Sequence, residues 1–305
     1  MCLSRGILSL TERRAIRPVV VIPLYRWPLE GYEAFSLRII RSILGKQSRI
    51  CFIAPDSLDL PNDFVGTKER IVRFGDAFFE GVQGYNRMLL SEWFFRFFAE
   101  EFTHMLICQL DCLVFRDELE KHCSKGLSYI GAPWFKHFWE DPSEGIWAVG
   151  NGGFSLRDLS AVMAVFRTEV GKGVFTLGEG LVASYVKPDR KANADWKPTG
   201  KVSVAEEIGC YPYNEDLFWS FEAPRVCPKY RVASPRQALA FAFENLPRWC
   251  YRKNWWCLPF GCHAWQKNDP SFWVSHLIRS GIVAENEIPN SLSPNDFQQS
   301  DAPSL

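Results

Sequence analysis
Two hydrophobic rhythms alternate along the opening of the chain. Arg17-Pro18 is followed by VVVIPLY (Val19 to Tyr25), an unbroken apolar run with turn residues on both sides. Such a run suits a strand covered on both faces of a parallel sheet. Glu30 to Leu44 then sets Phe35, Ile39, Ile40 and Ile43 at helical spacing, and RICFIA (Arg49 to Ala54) is a second apolar run, stopped by Pro55-Asp56. Strand, helix, strand at these lengths predicts a βαβ unit and an α/β fold.

A short strand is expected near Arg70 to Phe74 and a helix from Gly81 to Phe98. HMLICQLDCLVF (His104 to Phe115) reads as one apolar strand carrying a single acid, Asp111. A short helix (Asp117 to Lys125) leads to the strand LSYIGAPWF (Leu127 to Phe135). The segment AVGNGGFSLRD (Ala148 to Asp158) opens with glycines, ends as a strand and enters another helix. From about Gly171 to Ile208 the chain is polar and irregular, which predicts an insertion or flexible loop. Helices are expected to start near Asn214 and at Ser234, where SPRQ offers a capping box with proline at the first helical position. Beyond about Pro289 the composition of Ser, Pro, Asn and Asp predicts a disordered tail. No internal repeat is visible.

Composition narrows the function classes. Lys+Arg and Asp+Glu both total 35 in a chain of 305 residues, so no global field favours nucleic acid or an anionic surface, and an anionic ligand must be held by local groups. The first residues lack the apolar core and cleavage site of a signal peptide, and no run of about 18 apolar residues predicts a membrane span. Ten Cys without an export signal then read as reduced thiols, with a cytoplasmic location expected. The 12 Trp and 24 Phe mostly fill a core, but aromatic clusters could also face sugars or dock peripherally on a membrane surface.

Four segments could carry chemistry. A carboxylate in an apolar strand is costly, so Asp111 should stand at a strand end, where ligands gather in parallel α/β sheets; its alternative is a buried cap on backbone amides. GNGGFSLR (Gly150 to Arg157) lets a backbone approach a ligand closely, or is a plain turn, and it fits neither a Walker loop nor a dinucleotide fingerprint. NEDLFWS puts Glu215 and Asp216 at a helix start, where acids suit the dipole; one of them could be a general base, since neighbours on a helix point about 100° apart. PFGCHAW carries His263, which reads as a structural hydrogen-bonding group, as a partner of Asp111 on a divalent ion, or, with Cys250, Cys257 and Cys262, as a poorly spaced zinc set.

The order of these segments, QLDCLVF, YIGAPWF, GNGGFSLR, NEDLFWS and PFGCHAW, resembles the glycosyltransferase-like family labelled domain of unknown function 5672, over roughly Tyr85 to Trp265. It is also similar, more distantly, to β-1,3- and β-1,4-galactosyltransferase-type enzymes. The resemblance implies an A-type glycosyltransferase fold, with a mostly parallel central sheet flanked by helices: a single domain over 18–288, its nucleotide-sugar half about 18–135 and its acceptor half about 136–288, between an extension at 1–17 and a tail at 289–305. It implies transfer from a nucleotide-diphosphate sugar, foremost a uridine-diphosphate sugar, to a saccharide or glycan acceptor, with no nucleic acid partner. By position, Asp216 matches the catalytic base of inverting relatives with Glu215 beside it. Asp111 matches the last acid of a D-x-D motif, and His263 the late histidine that completes a Mn²⁺ or Mg²⁺ site. Gly152 and Gly153 match the strand facing the donor sugar. Gln109 replaces the first acid of D-x-D and offers only a neutral oxygen. The donor is expected near Tyr25 and Arg26, and Trp134, Trp255, Trp256 and Trp265 are candidate acceptor platforms. A non-catalytic glycan- or nucleotide-binding module and a two-carboxylate glycoside hydrolase are the rival readings.

Overall fold
The computed structural model describes residues 15–135, 142, 145–175 and 200–289. The expected tail and nearly all of the expected N-terminal extension lie outside the described residues. The chain opens with strand β1 (Pro18–Pro23), helix α1 (Gly31–Leu44), strand β2 (Arg49–Pro55) and strand β3 (Glu69–Phe74). Glu30 and Glu33 form the capping box that starts α1. Helices α2 (Gly81–Leu89) and α3 (Glu92–Ala99) lead to β4 (His104–Cys108), β5 (Leu113–Val114), α4 (Leu119–Cys123), β6 (Tyr129–Ile130) and β7 (Ala132–Phe135). Then come β8 (Ile146–Gly150), β9 (Phe154–Asp158), α5 (Leu159–Phe166), β10 (Glu169–Gly171), β11 (Lys201–Ser203), β12 (Ala242–Phe243) and β13 (Gly261–Cys262).

The main sheet runs β3-β2-β1-β4-β9-β6, with the first four strands parallel, β9 antiparallel to β4, and β6 antiparallel to β9. This is the mostly parallel α/β sheet that the apolar runs predict. Alternate side chains divide between two cores: Val19, Val21, Met105 and Ile107 pack on one face, and Val20, Ile22, Leu106 and Cys108 on the other. The period of two along a strand accounts for the division, and burial of both faces accounts for the unbroken apolar runs.

Four expected elements are revised. The helix expected from Gly81 to Phe98 is two helices, because Ser91 is extended (φ −100°, ψ 126°). The break leaves the Leu89 carbonyl to accept the indole N–H of buried Trp219 at 3.0 Å, and re-phases Phe94, Phe95 and Phe98 onto the core. The strand expected from His104 to Phe115 ends at Cys108; after a turn, β5 joins a second sheet, β12-β13-β5. LSYIGAPWF is likewise cut at Gly131, so that β6 stays in the main sheet while β7 pairs with β8 in a separate hairpin. A Cβ on Gly131 would stand 2.7 Å from the Gly150 carbonyl carbon, so this crossing needs glycine. The stretch from Gly171 to Ile208 is not irregular where it is described, for β10 pairs antiparallel with β11 and a helical turn follows at Val204–Glu207; residues 176–199 lie outside the described residues. The two later helix starts occur as expected. Asn214 stands at the N-cap position of Glu215–Leu217 without a side-chain capping bond, and the segment continues as a π-helix over Phe218–Glu222. Ser234 and Gln237 form the capping box of Pro235–Phe241. Among the described residues no helix is long and apolar enough to cross a membrane.

Candidate active site
The strand interruptions meet in one place. Leaving β1, the chain passes Pro23 to Tyr25; leaving β4, it passes Gln109 to Asp111; between β8 and β9 lies Asn151 to Gly153. A cavity of about 170 Å³ is lined by Pro23, Tyr25, Arg26, Tyr32, Gln109 and Asp111 among others. A more open one of about 380 Å³ adjoins it and includes Tyr85, Gly152, Gly153, Glu215, Asp216 and His263. Tyr25 and Gln109 line both, so the two are parts of one cleft at the carboxyl edge of the parallel strands.

His263 is the centre of its polar wall. Its Nδ1 lies 2.9 Å from Glu244 Oε1 and 3.2 Å from Asn151 Nδ2. Its Nε2 faces Asp111 Oδ1 and Gln109 Oε1, each at 3.3 Å. Burial acts to lower the His263 pKa, but Asp111 and Glu244 on either side outweigh it and push it up to about 10. Burial would in turn raise Asp111, and the facing imidazole holds it below its ordinary value. Asn151 ties this wall to the glycines. Its Nδ2 donates to Glu244 Oε2 at 2.8 Å, while its Oδ1 accepts from the backbone N–H groups of Gly153 (2.7 Å) and Phe154 (2.6 Å).

Several features of these residues suit a divalent cation. Asp111 Oδ1 is buried and only the His263 ring, at 3.3 Å, faces it. A Cβ on Gly153 would fall 2.1 Å from His263 Nε2 and 2.8 Å from Gln109 Oε1, so the space before these atoms exists because residue 153 is glycine. Glu244 accepting from Nδ1 is the orientation that turns Nε2 outward as a ligand, and with the pKa raised to about 10 a cation there would have to displace the proton from Nε2. Among the described residues no group of three or more His, Cys, Asp or Glu could hold a metal, so an ion here would have one carboxylate, one imidazole and the neutral Gln109 oxygen from the protein. Mg²⁺-like ions commonly take one or two carboxylates and complete their shell with substrate phosphates and water.

The two acids at the Asn214 cap diverge, as their positions on a helix require. Glu215 turns inward, 1% exposed, and meets the fully buried Arg157 at 2.7 Å. Phe95, Tyr129 and Trp219 enclose the same guanidinium at 5.5–5.8 Å. Asp216 is half-buried on the cleft wall. Burial, then the negative charge of Glu244, push its pKa up to about 6. Asn86 fixes this helix start: its Oδ1 accepts from the Glu215 N–H at 3.2 Å and its Nδ2 donates to Asn214 Oδ1 at 3.1 Å.

The cleft thus gathers Tyr25, Arg26, Asp111, Gly152, Gly153, Glu215, Asp216 and His263. Arg26 is committed to two carboxylates, Glu30 at 2.6 Å and Glu33 at 3.1 Å, and would contact a diphosphate only by leaving them. The four tryptophans do not line the cleft. Trp265 is fully buried with its indole N–H on Ser36 Oγ at 2.9 Å, so it has no face for an acceptor. Trp134 lies against Gly150 and stacks on Phe221, and Trp255 and Trp256 project into solvent elsewhere. Cys250 and Cys262 are buried and Cys257 is exposed, and among the described residues they form no group that could hold a metal. Sequence reading missed Glu244, Asn86 and the structural roles of Asn151 and Arg157. The available signal for Glu244 was an acid directly after the apolar AFAF (Ala240 to Phe243), the pattern that singled out Asp111.

Residues 68–263, more than half of the chain, match the family described as protein of unknown function (DUF5672), and the chain belongs to that family. The resemblance read from the ordered motifs is thereby borne out. Among solved structures, the mannosyltransferase Ktr4p from S. cerevisiae is similar at 7% identity and TM-score 0.38, over 67% of this chain and 65% of that one. The chain therefore spans slightly under two thirds of Ktr4p. The galactosyltransferase LgtC in complex with donor and acceptor sugar analogs is similar at 11% identity and TM-score 0.45, over 90% of this chain and 98% of that one. No curated protein matches by sequence. With likenesses this loose, a functional reading rests on the geometry of the cleft.

Proposed function
We propose that the protein is a glycosyltransferase that moves a sugar from a nucleoside-diphosphate sugar, foremost a uridine-diphosphate sugar, to a saccharide acceptor with inversion. The observation that carries the reading is the cleft formed by the two adjoining cavities, in which a half-buried carboxylate, Asp216, stands across two glycines from His263, with Asp111 lining the smaller cavity. In this reading the nucleotide lies in the smaller cavity against Tyr25 and Tyr32, and its diphosphate points toward Asp111, Gln109 and His263. A divalent ion bound there would offset the charge that builds on the leaving diphosphate. Asp216 takes the proton of the acceptor hydroxyl as that oxygen attacks an oxocarbenium-like anomeric carbon. With its pKa near 6 it is mostly ionised at neutral pH, yet more basic than an ordinary carboxylate. Glu215 and Arg157 hold the helix start that presents it.

The acceptor is assigned to the large cavity, about 820 Å³, that shares Val82, Asn86 and Asn214 with the catalytic cleft. Trp93 is 42% exposed in its wall, and Gln83, Arg87 and Tyr213 add hydrogen-bonding groups. Apolar sugar faces suit such rings, and these groups suit hydroxyls.

Calorimetry with a panel of nucleoside diphosphates, with and without Mn²⁺, tests the donor site. Binding that Mn²⁺ strengthens and Asp111→Ala abolishes is expected; no binding of any nucleoside diphosphate under either condition removes the reading. Gly153→Ala gives a sharper check on the cation. Its Cβ would force the imidazole off Glu244 and Asn151, so Mn²⁺-dependent binding is expected to fall at least about tenfold, the usual cost of disturbing the groups that orient a metal ligand. Unchanged Mn²⁺ dependence in that variant would exclude His263 as a ligand.

A further inference from the structure
Trp255 and Trp256 are 81% and 64% exposed, the most exposed aromatic side chains among the described large hydrophobics. Both occupy left-handed backbone, at φ 56° and 57°, which disfavours residues with a bulky side chain. The turn is nevertheless well fixed. Trp256 N–H donates to the Tyr251 carbonyl at 2.9 Å, Cys257 N–H to Asn254 at 3.1 Å, and Asn254 Nδ2 to the Cys257 carbonyl at 2.8 Å. A strained turn held by its own hydrogen bonds presents two adjacent indoles to water, with Trp256 packed only edgewise on Tyr251, which points to a surface function.

The surroundings say what would cover it. Trp256 borders a cavity of about 340 Å³ into which Arg252, Arg279, Ser271 and Ser275 also face. Ser271, Ser275 and Arg279 repeat every four residues on the helix Pro270–Arg279 and so share one face. Arg252 and Arg279 have no carboxylate partner among the described residues, whereas Arg248 is bound to Asp269 at 2.5 Å. Lys253 adds a further cation, and no acidic side chain is among the described residues lining the cavity. Indoles prefer the boundary between acyl chains and headgroups, and arginines beside hydroxyls suit a phosphate diester. The overall charge of the chain is balanced, so this cationic rim around two exposed indoles is local.

We propose that the turn at Trp255 and Trp256, with Arg252, Lys253 and Arg279, docks the protein on an anionic phospholipid surface. The indoles enter the headgroup layer, and the cavity beside Trp256 receives a lipid phosphate. This surface shares no lining residue with the catalytic cleft, so the proposal stands or falls apart from the glycosyltransferase reading.

Co-sedimentation of the full chain with vesicles of phosphatidylcholine alone, or of phosphatidylcholine with phosphatidylserine, provides the test. The protein is expected to pellet with the anionic vesicles and to be released by salt. Asn tolerates left-handed backbone, so Trp255→Asn with Trp256→Asn removes the rings without straining the turn. That variant is expected to lose about tenfold or more in partitioning while its melting temperature holds. Neutralising Arg252, Lys253 and Arg279 to Gln is expected to cost roughly fivefold per charge on anionic vesicles and little on neutral ones. Failure of the unaltered protein to pellet with any vesicle overturns the proposal, as does unchanged pelleting of the double Asn variant. A dimer in light scattering that the Asn variant abolishes also overturns it, because the patch then belongs to a second copy of the chain.

Discussion

Asp216→Asn is expected to lower the rate of sugar transfer by ~10²–10⁴-fold while donor affinity stays within a fewfold of the unaltered protein, since a general base contributes about that much and only in the transition state. The amide keeps the shape and one acceptor oxygen but takes no proton at neutral pH. A pH profile adds a second readout. The folded pKa of Asp216 is raised to about 6, so the active, ionised form is lost as pH falls through 6, and turnover should decline there with it. The residual activity of the Asn variant should lack that limb. Stability should not fall: a carboxyl whose folded pKa exceeds its unfolded value disfavours the folded state when ionised, so removing its charge relieves a cost. Near-normal transfer by Asp216→Asn, measured beside its melting temperature, would dismiss the base assignment and with it the main support for inversion.

The neighbouring acid predicts the opposite phenotype. Glu215→Gln leaves the Arg157 guanidinium fully buried, with its Nε and Nη1 already lacking acceptors and its one carboxylate gone. Breaking a buried pair typically costs about 3–5 kcal/mol. Burial outweighs Arg157, however, and pushes the Glu215 pKa up to about 7, so its ionised form is itself costly. The net loss, with the fall in melting temperature, should therefore lie below that range. Adding Arg157→Met should recover much of that loss, because the uncompensated charge leaves and a flexible apolar chain fills the space among Phe95, Tyr129 and Trp219. Thermal melts of the two single variants and the double variant decide the matter. A Glu215→Gln protein as stable as the parent would mean that the pair contributes nothing to the fold. Glu215, which sequence position groups with Asp216 as catalytic, is on this account a positioning residue for the helix start.

The parallel half of the sheet was legible because burial on both faces writes a continuous apolar run, and VVVIPLY and RICFIA are such runs. The capping box at Ser234 was legible for a similar reason, since its hydrogen bonds join residues three apart. The crossings between sheets were not. HMLICQLDCLVF stays apolar on both sides of the turn at Gln109 to Asp111, so composition alone cannot reveal that Cys108 and Leu113 belong to different sheets. Gly131 hides its crossing in the same way. At the site, Asp111, Asp216 and His263 stood out as polar residues in apolar or glycine-rich settings. Asn86 did not, because its partners Asn214 and Glu215 are 128 and 129 residues away, and Glu244, though it follows AFAF, is tied to the site through Asn151, 93 residues away. Ring type suggests sugar contact equally for a core side chain such as Trp265, which has no exposed face, and for an exposed one such as Trp255.

The way strands pass from the main sheet to its neighbours restricts how this chain can change in length. Only four residues separate β4 from β5, and a single residue separates β6 from β7. One residue inserted between Cys108 and Leu113 would either move Asp111 away from His263 or slip β5 by one position against β13. Such a slip exchanges the two faces of a strand, turning Leu113 and Val114 out of the separate cores they now enter. Insertions and deletions are therefore barred from the Asp111 end of the cleft by strand register itself. Variation in chain length is left to segments such as Pro61 to Asp63, exposed between β2 and β3, where no strand pairing constrains it.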